Sequence, residues 1–212
     1  MKLPFDPAKN GWHFPANIIA DAMGVKRTDG LCGGMSLSAV NYFRYGMNIP
    51  AVSMRDIKKA NPVSDFILYS QFAVFESPNI MKQKAELLFT NTEENHYRSS
   101  INDEFPKIKK ALDDGCFVML GLRSKENFKT CHQTLVYGYD DRNYILYMYD
   151  SEFPNQETVV SSNGYRLTFS NGKAYSSYFL LMSLNPAAKS DLNAYDIIKN
   201  PVYNFAVKPP QA

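Results

Sequence analysis

Cys32, His132 and Asp150 are the residues of this chain whose types and spacing point to chemistry. Cys32 lies in Asp29-Gly30-Leu31-Cys32-Gly33-Gly34-Met35. Apolar positions Met35, Ala39, Tyr42 and Phe43 then recur at helical spacing, which predicts a helix through roughly residue 45. With Asp29 as N-cap, Cys32 falls in the first turn. Unpaired N–H groups and the positive end of the helix dipole favour an anion there, and a thiolate is such an anion. Gly33 and Gly34 cost helix propensity, about 1 kcal/mol each relative to alanine. That cost fits a place where another backbone or a substrate comes close. The plain alternative is a buried cysteine in a glycine-rich turn.

His132 opens a run of β-branched and aromatic residues, Cys131 to Tyr139, and Asp150 closes a second, Tyr144 to Asp150. The polar cluster Asp140-Asp141-Arg142-Asn143 between them predicts a β-hairpin. If the hairpin is symmetric about Asp141, His132 stands directly opposite Asp150 on one face. A slip of one residue would separate them. Glu152 would share the face of Asp150 if the strand ran on, so it is the rival acid. Cysteine, histidine and carboxylate together suit nucleophilic acyl chemistry. Cys32 attacks, His132 moves the proton, and Asp150 orients the imidazole.

On Gly30-Leu31-Cys32-Gly33-Gly34-Met35, His132 to Asp140, and Tyr147-Met148-Tyr149-Asp150, the sequence resembles the papain-like cysteine peptidase superfamily. The closer likeness is to bacterial branches related to the peptidases that process double-glycine leader peptides. The resemblance covers residues 11–45 and 105–185. It implies a papain-like α+β fold, with the site in a cleft between a helical half and an antiparallel sheet. It also implies thiol-dependent hydrolysis of a peptide, a protein or a small amide, with no cofactor. Acyl transfer, transglutamination, deamidation and a catalytically silent binding scaffold remain the alternatives. In one respect the chain departs from the pattern. Family members usually carry a glutamine shortly before the cysteine as an oxyanion donor, and here no glutamine precedes Gln71. Asn17 is the candidate replacement. Gln133 is the weaker one, because strand alternation turns it from the His132 face.

The surrounding elements fit one domain over residues 1–185, helical over 30–115 and β over 116–185, with an extension at 186–212. Helical patterns occupy 53–60, 64–76, 78–90 and 103–114, with a polar break around 91–100 and a short helix near 188–199. Strands are expected at 116–122, 132–139, 144–150, 157–160, 165–170 and 174–184. At 212 residues and 45% hydrophobic content, the chain suffices for one substantial core.

A formal charge of +2 with scattered cations gives nucleic-acid binding no support, and Lys107-Lys109-Lys110 reads as a solvated helix face. Cys32, Cys116 and Cys131 form no CxxC pair, and with His13, His96 and His132 they form no zinc set. Cys116 reads as a buried strand residue. No stretch has the length of a membrane span or the form of a signal peptide. The expectation is a cytoplasmic protein, with signal-less secretion as an effector the other route.

Overall fold

A computed structural model describes residues 1–17, 30–52, 61–75, 93–124, 131–163, 166–169, 174–177, 183–184 and 209–210. The fold is α+β. The described helices are α1 (Pro7–Asn10), α2 (Cys32–Arg44), α3 (Pro62–Phe75), α4 (Glu93–Ser99) and α5 (Phe105–Asp113). A π-helical turn, Ser100–Glu104, joins α4 to α5. Pro106 follows this turn and has no N–H to continue the α ladder. The polar stretch expected to break the helices therefore carries α4 instead. The patterns at 53–60, 78–90 and 188–199 lie outside the described residues.

Among the described residues seven strands follow: β1 (Phe117–Ser124), β2 (Cys131–Asp140), β3 (Ile145–Tyr149), β4 (Glu157–Asn163), β5 (Arg166–Phe169), β6 (Ala174–Ser177) and β7 (Ser183–Leu184). Of the segment expected as one strand over 174–184, β6 and β7 are described, and residues 178–182 lie outside the described set. All pairings are antiparallel, and β1 bonds to β2 on one edge and to β6 and β7 on the other. The order β1-β2-β3-β4-β5-β6 thereby closes on itself, which satisfies strand edges that an open sheet would leave bare.

Two apolar clusters lie on the two faces of this sheet. Phe117, Met119, Leu135, Tyr137 and Tyr149 pack with α2 and α3 around Trp12, Met35, Val40 and Ile67. Val118, Leu120, Leu122, Val136, Leu146, Met148 and Val160 pack with Phe105, Ile108 and Leu112 of α5. The alternation of Phe117 to Leu120 between clusters is the period of two expected of a strand buried on both faces. Cys116 is half-buried just ahead of β1, not a core strand residue as its sequence suggested. Burial still pushes its thiol upward.

Residues 11–16 tie the helices to the sheet. Trp12 donates from Nε1 to Ser38 Oγ on α2 at 2.9 Å, and from its backbone N–H to Tyr149 Oη on β3 at 3.0 Å. Ala16 N–H donates to Ser151 O at 3.0 Å. Of the extension at 186–212, residues 209–210 are described, and Pro210 O accepts from Tyr42 Oη of α2 at 2.7 Å. Lys107, Lys109 and Lys110 pair with Glu104, Asp141 and Asp114 on the surface. Among the described residues no helix is long and apolar enough to cross a membrane.

Candidate active site

Cys32 is the first residue of α2, and Leu31 occupies the N-cap position without a side-chain capping bond. Asp29, expected as the cap, lies outside the described residues. Capping comes from another helix instead: Gln71 Oε1 of α3 accepts from Gly34 N–H at 2.6 Å. The glycine pair explains how α3 comes so near. A Cβ on Gly34 would stand 2.3 Å from Ile67 O and 2.9 Å from Gln71 N. The close approach inferred from the glycines is therefore made by the protein's own α3.

His132 lies at the start of β2, and its Nε2 is 2.7 Å from Asp150 Oδ1. A carboxylate only accepts, so Nε2 carries a proton. The Cys32 thiol is close enough to the same ring to help raise its affinity for a proton, and Nδ1 is the nitrogen not bonded to Asp150. Cys32 is 8% exposed, His132 5% and Asp150 1%. Burial opposes the imidazolium charge. The Asp150 carboxylate, its hydrogen bond and the neighbouring Cys32 sulfur outweigh burial and hold His132 well above the usual histidine range.

The hairpin reaches this geometry in a register other than the symmetric one. Its loop is residues 141–144, and Asp140 pairs with Ile145. Near the loop Tyr139 pairs with Leu146, whereas farther out Val136 pairs with Met148 and Leu135 with Tyr149. The shift between Val136 and Gly138 is a β-bulge that inserts Tyr137 as an extra residue on β2. Continued outward, this register puts Glu152 level with His132 and Asp150 level with Thr134. Asp150 is thus a diagonal neighbour of His132 on the same face, still within side-chain reach. The register anticipated from symmetry was off by two residues, which preserves the face.

β3 ends at Tyr149, and Asp150 opens a tight turn. Its Oδ1 also accepts from Glu152 N–H at 2.9 Å, and its carbonyl accepts from Phe153 N–H at 3.0 Å. The turn brings Glu152 back towards the ring, with Oε1 4.0 Å from His132 Nδ1. Asp150 therefore holds the hydrogen bond, and Glu152 flanks the opposite nitrogen at a longer distance with a 35% exposed side chain.

The side chain of Asn17 is exposed and makes no hydrogen bond among the described residues, and its neighbour Ala16 is bonded to Ser151 beside Asp150. The carboxamide of Gln133 lies against Gly33, the residue next to Cys32. The side chain of Cys131 lies outside the described set. Among the described residues no group of three or more acidic, histidine or cysteine side chains could hold a metal. The site also depends on residues that the sequence reading did not single out. Trp12 braces α2 against β3, and Gln71 caps the nucleophile helix. The one tryptophan of the chain, beside a glycine, was the available signal for the first; nothing local marks the second. Comparison with protein-family models, curated proteins and solved structures finds no match to this chain.

Proposed function

We propose that this protein is a thiol-dependent amide or peptide hydrolase on a papain-like scaffold. One observation carries the reading: a buried imidazole bonded to a carboxylate through one nitrogen and within reach of a helix-start thiol. The raised His132 value favours an imidazolium placed to pair with the Cys32 thiolate when it forms. The thiolate attacks the substrate carbonyl carbon, and the carbonyl electrons move to oxygen. Collapse of this intermediate breaks the C–N bond as His132 gives its proton to the leaving amine. The neutral imidazole then takes a proton from water, whose oxygen attacks the thioester. The carboxylic acid leaves, and the thiolate–imidazolium pair returns. Asp150 keeps the ring oriented throughout and offsets its charge. The backbone N–H of Cys32 supplies one oxyanion donor.

No glutamine precedes Gln71 to act as the usual second oxyanion donor, and that departure favours a silent scaffold as the second reading. Alkylation separates the two. An enzyme's Cys32 reacts with iodoacetamide at pH 6 far faster than a model thiol, and His132→Ala removes the excess. A Cys32 that reacts like a model thiol in both proteins refutes the hydrolase reading. Acylation of Cys32 by peptidyl electrophiles, followed by mass spectrometry, then tests for a peptide substrate.

A further inference from the structure

Two buried carboxamides converge beside the nucleophile. A Cβ on Gly33 would stand 2.0 Å from Gln133 Oε1 and 3.2 Å from Gln71 Oε1. Gln71 comes from α3, and Gln133 follows His132 on β2. With Gln71 Oε1 committed to Gly34 N–H, its Nε2 is a buried donor without a partner among the described residues. Gln133 Oε1 is a buried acceptor in the same condition. Unpartnered buried polar atoms are costly, and each one calls for an explanation. Here the two are chemically complementary and gathered around one glycine.

We propose that Gln71 and Gln133 act as a pair of positioning residues, Gln71 Nε2–H reaching Gln133 Oε1 across Gly33 through one bridging water. The pair links three elements: α3, the first turn of α2 that bears Cys32, and β2 one residue beyond His132. It fixes the separation of thiol and imidazole without either glutamine touching a reacting atom. Gly33 is part of the device, because any side chain there would occupy the space of the Gln133 carboxamide. The inference rests on the thiol–imidazole reading above, and its test keeps the two separable.

The test is the pH profile of Cys32 alkylation in the full chain, for wild type, Gln71→Met, Gln133→Met, the double variant, Gly33→Ala and His132→Ala. Each single glutamine variant should move the midpoint upward by about one pH unit, which is roughly a ten-fold loss of rate on the acidic limb. The double variant should lose no more than the worse single, since the second change removes a bond already broken. Gly33→Ala should reproduce the shift with both glutamines present, because its methyl displaces the flexible end of Gln133. If the methionine variants do not fold, Gly33→Ala decides alone. Unshifted midpoints in folded variants, or fully additive shifts in the double, overturn the pairing. Those results leave the hydrolase reading intact as long as His132→Ala still shifts the profile, whereas an unshifted His132→Ala brings down that reading itself.

Discussion

His132 Nε2 and Asp150 Oδ1 are 2.7 Å apart although the hairpin ladder does not pair the two residues. The contact is diagonal, and it is completed where β3 has already given way to a turn.

Asp150→Asn should therefore keep the fold and lose activation. The amide offers a neutral oxygen in place of the charge and can favour the other imidazole tautomer. Turnover should fall by roughly 10²–10⁴-fold, the range of general acid–base contributions. Glu152→Gln, acting on a longer and more exposed contact, should cost less than about ten-fold. Parallel turnover measurements on the two variants check the order. Full activity in Asp150→Asn beside a large loss in Glu152→Gln would hand the orienting role to Glu152.

The titration of His132 makes stability depend on pH with a definite sign. Its folded-state value lies above the unfolded value of about 6.5, so the native state binds more protons in that window. The contribution is fully present below about 6.5 and is lost as pH rises through the folded value. Denaturant unfolding of wild type and His132→Gln should show a difference that shrinks from pH 6.5 upward. A difference that grows over that range contradicts the assignment.

Gly34 and Gly30 give a contrast in packing. A methyl on Gly34 meets the backbone of α3, which cannot swing aside, whereas nothing lies within 4 Å of one on Gly30. Gly34→Ala should cost about 1–3 kcal/mol despite alanine's better helix propensity. Gly30→Ala should leave the melting temperature within about a degree or two. Thermal melts followed by circular dichroism decide this.

Trp12→Phe should loosen the brace between α2 and β3. It removes the Nε1–H bond to Ser38 Oγ, leaves that buried hydroxyl with one partner fewer and shrinks a fully buried ring. A loss of roughly 1–3 kcal/mol is expected, with Cys32 reactivity changed less than in His132→Ala. Chemical denaturation and alkylation rates on the same variant measure both effects.

The residues that could do chemistry were legible because each sits at a local signal: a cysteine before a helical period, a histidine opening a β run, an aspartate closing one. Strand order and exact register were not legible. The loop turned out to be residues 141–144, one residue on from the polar cluster, and no local pattern announces an extra residue at Tyr137. Gln71 shows the other limit. Its capping role depends on where α3 crosses α2, and a crossing is a tertiary event.

The Tyr137 bulge makes this hairpin a device of odd and even. In the register set by the loop, Asp150 would be level with Leu135 and would fall on the other parity from His132. One supernumerary residue changes the parity and returns the carboxylate to the imidazole. Single-residue insertions or deletions within the paired stretches of β2 and β3 undo that parity and should abolish activation even where the sheet survives. Residues added in the loop, 141–144, leave the ladder as it is and should be tolerated.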